Sequence, residues 1–394
     1  MIKTVSFRTL GCRLNHSESD SIQYDLNQRG LKTVSCLERA DLTIINSCAV
    51  TRQAEAKTRG AIAASRRISP DGKIAVIGCG SHFSPDKLMS ISGVDLVLGN
   101  CEKYKLYEYL PVLESDEKRI FVSSVNECGT FSPIGVVSSG SRTRAFMKIQ
   151  DGCDYWCSYC IIPFLRGKSR SRKMEECIEE AKLLSDKGFK EIVLTGVNIG
   201  TYKSANGANI CDLIENLLVL TEIERIRISS IEPDLLSDRL IYLMKTEKRV
   251  CRHFHIPLQH SSDEILKSMH RKYCIKDFEE LIYNVYREIP EVCIGTDVLV
   301  GFPGESEENF VEMYRFLEKL PFSYLHVFRF SPRLGTIASK LKDDVLSNEK
   351  KRRSSILRDL GCYKKQSFLN RFLDKTVTVL FEKRIKNKYL IGHT

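Results

Sequence analysis

Short apolar runs alternate with helical periods along most of the chain. In the first stretch, strand-like runs fall at residues 4–10, 41–46, 73–77 and 94–98. Helix-like patterns at 17–29 and 53–67 lie between them. Strands alternating with helices predict a mostly parallel, doubly wound α/β sheet. From Ser123 to Arg144 the chain is rich in Ser and Gly, contains Pro133 and has little helical period, so it reads as a linker. The alternation then resumes, with strands expected at 145–149, 191–195, 225–229, 252–256, 292–300 and 324–330. Over 174–187, Met174, Cys177, Ile178, Ala181 and Leu184 share one helix face and Gly188 suits the stop. Asp234 is a candidate cap for the helix after Pro233. Six such units in about 190 residues predict a partial parallel barrel, smaller than the eight-unit form. A charged helix is expected over 348–371. Short strands at 376–381 and 389–391 flank the basic segment 382–388. Two strands alone are marginal in water, so they either complete another sheet or open a small β-domain. The expected organisation is an N-terminal α/β domain at 1–115, a linker at 116–143, a barrel at 144–345, a connecting helix at 346–371 and a short β segment at 372–394.

Composition narrows the class. The chain has 394 residues, 42% hydrophobic and 28% charged, as soluble globular proteins do. No run reaches the roughly 18 apolar residues of a membrane span. The segment Met1-Ile-Lys-Thr-Val-Ser-Phe7 lacks the apolar stretch of a signal peptide. The expectation is a cytoplasmic protein with no membrane partner. Fifteen cysteines is a high and odd number. In a reducing compartment it favours metal ligands, nucleophiles or core residues over a disulfide framework. The formal net charge of +10 favours a polyanionic partner, nucleic acid being the commonest.

The densest chemistry is Cys153-Asp-Tyr-Trp-Cys157-Ser-Tyr-Cys160. Three thiolates in one loop can hold three corners of a cubic iron–sulfur cluster and leave the fourth iron open to a small molecule. The same spacing also serves zinc. The loop follows the first barrel strand, so it lies at the carboxyl end where parallel α/β folds bind ligands. Cys12, Cys48 and Cys79 each follow a strand of the first domain, with Gly11 and Gly78 directly before two of them. Equivalent topological positions point to a second metal site, with structural zinc as the alternative. The other nine cysteines, Cys177 among them, read as structural. At further barrel strand ends, Gly196 and Gly301 suit close approach of a cofactor. Glu232, Gln259 and Asp297 can hydrogen-bond a nucleoside cofactor, and Tyr159 can lie against its base. The run Arg166-Gly-Lys-Ser-Arg170-Ser-Arg172-Lys173 is a candidate for nucleic-acid phosphates.

Taken jointly, several segments resemble one family. They are Thr9-Leu-Gly-Cys-Arg-Leu-Asn15 with Ser19, Asn46-Ser-Cys-Ala-Val-Thr51, Val97-Leu-Gly-Asn100, Gln150-Asp-Gly-Cys153 through Cys160-Ile-Ile-Pro163, Arg166-Gly with Ser169-Arg-Ser-Arg172, Met269-His-Arg-Lys-Tyr273, and Thr296-Asp297 through Glu305. The chain resembles the radical S-adenosylmethionine methylthiotransferases over nearly its whole length. It is most similar to the branch acting on N6-threonylcarbamoyladenosine beside the tRNA anticodon. The resemblance implies two [4Fe-4S] clusters. Cys153, Cys157 and Cys160 would hold the one that cleaves S-adenosylmethionine. Cys12, Cys48 and Cys79 would hold an auxiliary cluster that carries sulfur. One S-adenosylmethionine would methylate that sulfur and another would give the 5′-deoxyadenosyl radical that activates adenine C2. Asp297 is placed with the catalytic residues. Tyr159, Gly196, Glu232, Gln259 and Gly301 are placed with the cofactor-binding ones.

The implied partners are a tRNA anticodon stem-loop, an electron donor such as a flavodoxin or ferredoxin, and a sulfur donor of unstated identity. The last strands resemble the start of the family's RNA-binding β-barrel (TRAM-like), with closing strands missing. Two departures stand out: Gln259-His260-Ser261 where the family commonly has Gln-Ser-Gly, and Gly80 where it has an aromatic residue after Cys79. Alternative readings keep the chemistry on isopentenyladenosine tRNA or on a ribosomal-protein aspartate. A reading of another class is a noncatalytic iron–sulfur RNA-binding or sensor protein.

Overall fold

A computed structural model describes residues 2–115, 117–128, 143–386 and 389–394. The first unit is a six-stranded sheet. Its strands are β1 (Thr4–Thr9), β2 (Lys32–Thr33), β3 (Leu42–Ser47), β4 (Lys73–Gly78), β5 (Leu96–Leu98) and β6 (Arg119–Phe121). They run parallel in the order β2-β1-β3-β4-β5-β6. Helices α1 (Arg13–Gln28), α2 (Arg52–Ile68), α3 (Cys79–Phe83), α4 (Pro85–Met89) and α5 (Leu110–Glu114) connect them. The period-two alternation of the buried strands feeds two apolar layers. Val5, Ile44 and Ile77 pack with Ile22, Leu26 and Leu113 on one face, and Ile45 and Val76 pack with Ile62 and Leu88 on the other. The parallel doubly wound sheet read from the alternation is therefore present. The order reverses direction between β1 and β3, which creates a crevice outside their carboxyl ends.

The second unit strings together six parallel strands. They are β7 (Arg144–Lys148), then, after a short antiparallel pair β8 (Gln150–Asp151) and β9 (Arg170–Ser171), β10 (Glu191–Thr195), β11 (Arg225–Ile228), β12 (His253–His255), β13 (Cys293–Val300) and β14 (Tyr324–Arg329). Sheets β11-β10-β7 and β12-β13-β14 are joined by parallel bridges at Ile226–Val250 and Ser230–His255. Outside them lie α6 (Ile162–Arg166), α7 (Met174–Asp186), α8 (Ile210–Leu220), α9 (Asp238–Thr246), α10 (Asp263–Ser268), α11 (Ile275–Glu288) and α12 (Glu307–Lys319). Alternate strand residues such as Ile192, Ile226, Phe254 and Ile294 meet the helices in one core. The other set, including Glu191, Arg227, His255 and Asp297, is polar and lines the inside of the curved sheet. The long helix α13 (Ser347–Asn370) packs along β14. A final antiparallel ribbon, β15 (Leu380–Lys386) and β16 (Tyr389–His393), reaches the barrel through Arg144 and Glu382, 2.8 Å apart.

Four sequence expectations need correction. Helix α1 begins at Arg13, four residues before the expected Ser17, because its first turn buries polar groups that a hydrophobic period does not register. Arg119–Phe121 was assigned to the linker beginning at 116, but it forms the sixth strand, held by Leu96, Val97 and Leu98. Within that linker, 116 and 129–142 lie outside the described residues. Asp234 does not cap the following helix; Ser237 does, accepting from the Leu240 amide, and Asp234 instead accepts from Tyr155 Oη at 2.6 Å. Cys101 and Cys128 form a disulfide that ties the loop after β5 to the segment after β6.

The two units are joined through a buried ionic cluster. Glu18 on α1 accepts from Arg166 Nη1 at 2.7 Å and Lys148 Nζ at 2.9 Å, and pairs with Lys103 Nζ at 2.6 Å. Asp151 accepts from the same Arg166 Nη1 at 3.0 Å and from Lys148 at 2.7 Å. Burial alone raises a carboxyl pKa. Here Arg166, Lys103 and Lys148 outweigh it and hold Glu18 well below the usual carboxylate range. Burial pulls the Lys103 pKa down to about 8, against the pull of Glu18. Removing one partner from such a group leaves uncompensated charge, at about 3–5 kcal/mol. Glu18→Gln is therefore expected to lose stability of that order in denaturant titration. A depressed carboxylate pKa stabilises the fold above its unfolded value and stops doing so as pH falls through its folded one. Wild-type unfolding free energy should therefore drop as pH falls below about 4, and Glu18→Gln should show a shallower drop.

Candidate active site

The first cysteine triplet occupies the switch-point crevice. Cys12 follows β1, Cys48 follows β3 and Cys79 begins α3 directly after β4. The turn into Cys12 requires Gly11. Its φ is +98°, and a Cβ there would sit 2.9 Å from Cys48 Cβ and 3.1 Å from Cys48 Sγ. Asn15, 1% exposed, ties the ends of β1 and β3 together. Its amide donates to Leu10 O at 2.8 Å and Ser47 O at 3.1 Å, while its Oδ1 accepts from Arg166 Nη2 at 3.0 Å. Cys48 and Cys79 are buried and Cys12 is exposed. The Cys48 thiol is pushed up to about 11 by burial, with Cys79 and Cys12 among the contributing neighbours. Gly80, the departure after Cys79, is explained locally: a Cβ there would approach Ser47 Oγ to 2.6 Å.

The second triplet lies in the loop after β8. Cys153 N donates to Gly167 O at 3.1 Å and Cys160 N to Cys157 O at 2.9 Å. Between them Ser158 is pinned from both directions: its Oγ donates to Ser268 O at 2.7 Å and its N to Met269 O at 3.0 Å. Trp156 adopts a left-handed backbone, φ 53°. Arg271 Nη1 lies 3.3 Å from Cys157 Sγ, and the same guanidinium grips Glu232. Burial pushes the Cys160 thiol up to about 12, with Cys157 and Cys153 adding to it. Such thiols stay neutral until a bound metal removes their protons.

Arg166, at the end of the helix that follows the second triplet, touches the first. Five residues separate Cys160 from it, and its Nε donates to Cys79 Sγ at 3.2 Å. Ala49, Cys79, Ile161 and Leu165 form one apolar cluster beneath that contact. In the ionic network four cations, Arg166, Lys148, Lys103 and Arg170, meet two carboxylates, Glu18 and Asp151. Of these, Arg166 also reaches the Cys79 sulfur. This suits a group carried on thiolates.

The proposed cofactor contacts divide. Glu232 sits beside the cysteine loop, and burial raises its carboxyl pKa although Arg271 opposes it. Tyr159 packs edge-on to Phe302, with ring centres 6.5 Å apart. Gln259 has φ 65° and its main chain bridges to Asp297 and Leu299; His260 beside it is fully buried. Asp297 lies inside the barrel between His255 Nε2 at 3.1 Å and His326 Nδ1 at 3.2 Å. Burial works to raise its pKa, but these two partners bring it down to about 2. The glycines serve the fold. A Cβ on Gly196 would lie 2.8 Å from Gln150 Oε1, which accepts from the Val197 and Asn198 amides. Gly301, φ +72°, has its Cβ position filled by the Lys350 stem. The basic run also differs from expectation: Arg166 and Arg172 are buried, and Arg172 pairs with Glu176 and Glu180. Only Lys168 and Lys173 of the run are exposed to solvent.

Sequence reasoning missed Asn15, Glu18, Asn198 and Arg271 as site residues. None has a periodic or spacing signal of its own. Asn198 is 3% exposed and lies within reach of the Cys153 thiol, its amide otherwise without a hydrogen-bond partner. Ser229 Oγ, at the end of β11, is equally buried and unpartnered. Orphaned polar atoms around an open thiol triplet fit a polar cofactor.

A partial parallel barrel with a three-thiol loop at the carboxyl ends of its strands defines a radical S-adenosylmethionine enzyme. Residues 147–317 match the Radical SAM superfamily and residues 4–99 match Uncharacterized protein family UPF0004. The radical S-adenosylmethionine methyltransferase TsrM of Kitasatospora setae, solved with cobalamin and a [4Fe-4S] cluster, shares the fold. It aligns at TM-score 0.64 and 15% identity over 86% of this chain and 77% of that one. Threonylcarbamoyladenosine tRNA methylthiotransferase MtaB of Bacillus subtilis is 37% identical over 99% of this chain and 88% of its own length. The tRNA-2-methylthio-N(6)-dimethylallyladenosine synthase of Acetivibrio thermocellus is 34% identical over 100% and 84%. The chain belongs to the radical S-adenosylmethionine methylthiotransferase family, iron–sulfur enzymes that use S-adenosylmethionine.

Alanine at Cys153, Cys157 and Cys160 together is expected to leave about half the iron and sulfide of reconstituted protein, one cube of two. Further alanines at Cys12, Cys48 and Cys79 should remove the remainder. Loss of all iron in the first variant would contradict a second site.

Proposed function

We propose that the protein adds a methylthio group to C2 of N6-threonylcarbamoyladenosine next to the tRNA anticodon. The observation that carries this reading is the 3.2 Å contact between Arg166, at the end of α6 behind the second cysteine loop, and Cys79 of the first triplet. It supports reading the two cysteine loops as parts of one site. The substrate assignment is supported by the name of the B. subtilis relative, whose identity extends over both loops.

Cys153, Cys157 and Cys160 would hold one [4Fe-4S] cluster, and Cys12, Cys48 and Cys79 the other. When bound, the first with S-adenosylmethionine supplies one-electron chemistry able to activate an aromatic C–H bond, and the second supplies sulfur. That carbon has no useful acidity, so proton removal by a side chain is no alternative. Chemistry of this kind belongs to the cofactors, and the protein contributes position and charge. Arg271 holds Glu232 beside Cys157 and directs positive charge at that thiol. Asn198 and Ser229 offer free polar atoms to the nucleoside cofactor. Arg166 ties the two units together through Glu18 and Asn15. Asp297, ionised between two histidines, faces the chamber as a hydrogen-bond acceptor.

The polyanionic partner implied by the +10 charge is the tRNA anticodon stem-loop. Electrons would come from a flavodoxin or ferredoxin, and the working compartment is the cytoplasm. Among the described residues no helix is long and apolar enough to cross a membrane. The ribbon β15–β16 is the start of a TRAM-like RNA-binding module in this reading.

Two measurements check the proposal. Reduced, reconstituted protein should produce 5′-deoxyadenosine from S-adenosylmethionine; absence of product would favour a noncatalytic sensor. Mass spectrometry of tRNA nucleosides from a strain lacking the gene should show loss of 2-methylthio-N6-threonylcarbamoyladenosine. Loss of the methylthiolated isopentenyl nucleoside instead would move the enzyme to the other branch.

A further inference from the structure

Thiols are not the only metal-binding side chains of the barrel. His255, Asp297 and His326 stand on three adjacent strands: β12 ends at His255, β13 runs through Asp297 and β14 through His326. The register explains why they meet. Asp297 is paired directly with His326, and His255 is paired with Gly295, two residues before Asp297 and so on the same face. His255 Nε2 lies 3.1 Å from Asp297 Oδ1, and His326 Nδ1 lies 3.2 Å from the same oxygen. One ligating atom from each of the three falls within 4.8 Å of the others. Two imidazole nitrogens and a carboxylate oxygen are the donor set of open divalent-metal sites.

The neighbours hold these donors in place. Gly295 has no side chain, and the Tyr324 ring occupies the space its Cβ would take. That ring stacks on His255 with centres 6.1 Å apart and lies 5.1 Å from the His326 ring, while its hydroxyl meets His253 Nε2 at 2.8 Å. Both ligand rings are therefore packed against one fixed aromatic. Ser230, bridged to His255 from beyond the end of β11, puts its Oγ 2.8 Å from His255 Nδ1. When Nε2 gives its lone pair to a cation, the ring proton sits on Nδ1 and Ser230 accepts the hydrogen bond. Metal-bound histidines keep such an outer-shell contact. The His255 side chain is buried, whereas that of His326 is 54% exposed, so an ion has a way in past His326.

A hydrogen-bonded relay without metal is the competing account. A carboxylate that serves two N–H donors has two oxygens to divide between them. Here both rings converge on Oδ1, and among the described residues no hydrogen bond reaches Oδ2. Convergence of three donors on one small space is the geometry that a shared cation imposes, and it leaves the second carboxylate oxygen able to join.

We propose that His255, Asp297 and His326 form a binding site for a first-row divalent cation inside the barrel, built from none of the six triplet cysteines. Three protein donors fill half of a six-coordinate shell and leave the rest to water or to oxygen atoms of a bound substrate. The donor set narrows the ion. Imidazole suits zinc, iron, nickel and copper(II), and carboxylate suits manganese, whereas magnesium and calcium want oxygen donors throughout. The site does not depend on which adenosine the enzyme modifies.

The test uses the full chain with both clusters reconstituted and oxidised, so that the triplet thiols are occupied and the clusters are diamagnetic. Mn2+ is the probe, because carboxylate suits it and thiolate does not. Uptake is read from loss of the free-ion electron paramagnetic resonance signal, and the ligands from nitrogen hyperfine coupling in spin-echo spectra. Wild type should bind a single Mn2+ per chain, with coupling to histidine nitrogen. Ser230→Ala should weaken binding about 10-fold, the low end of the range for an outer-shell partner. His326→Gln and Asp297→Asn should each weaken it about 100-fold or more, since a direct ligand costs no less than the top of that range. Iron, sulfide and thermal unfolding are measured in each variant. The His326 side chain is more than half exposed, so His326→Gln decides by itself if Asp297→Asn fails to fold. Mn2+ bound without nitrogen coupling, or bound equally well by His326→Gln, would place it on surface carboxylates and overturn the proposal. So would a wild type that takes up no Mn2+.

Discussion

The architecture depends on one guanidinium. Arg166 leaves the end of α6, passes out of its own unit and ends among Glu18, Asn15 and Cys79 of the other. Beside it the two α/β units meet across an apolar seam, Ala49 and Cys79 against Ile161 and Leu165, and through polar contacts such as Lys148 with Glu18 and Asn100 with Leu165 O. With it, the relative position of the two cysteine triplets is set by short charge-assisted contacts between groups with no access to water. Buried ion pairs are poor sources of net stability but strict about geometry. That trade suits a site where two distant cysteine loops must be held at a fixed separation.

Charge is distributed to match. The network joining the two units holds more cations than carboxylates, and Arg166 reaches the Cys79 sulfur. Elsewhere Glu191, Glu382 and Asp297 are each paired with neighbouring Arg or His side chains. The outer apolar layer between strands and helices is ordinary packing by contrast, with Phe254, Ile294 and Phe278 fully covered. The functional content of the chain therefore lies on the inward set of strand positions and in the turns at their carboxyl ends.

Much of this was legible in the sequence. Strand positions came from short apolar runs and were placed within a residue or two, except the one expected at 376–381, which lies at Leu380–Lys386. One triplet was recognisable from its close spacing in one loop, the other because each of its cysteines follows a strand, which topology turns into proximity. What stayed hidden was polar and buried. Arg13 to His16 carry no hydrophobic period, so the first turn of α1 was missed although it holds Asn15. Arg166 reads in sequence as one of a basic run fit for phosphates, and only the fold reveals that Glu18 waits for it. The strand Arg119–Phe121 is three residues long and starts with a charge, too little for a pattern to register. The Cys101–Cys128 bond joins cysteines that spacing alone does not pair.

The first triplet is uneven: Cys48 and Cys79 are enclosed, and Cys12 is open. The open member is the one that joins β1 to α1, so sulfur arriving from solvent would reach the triplet at that turn.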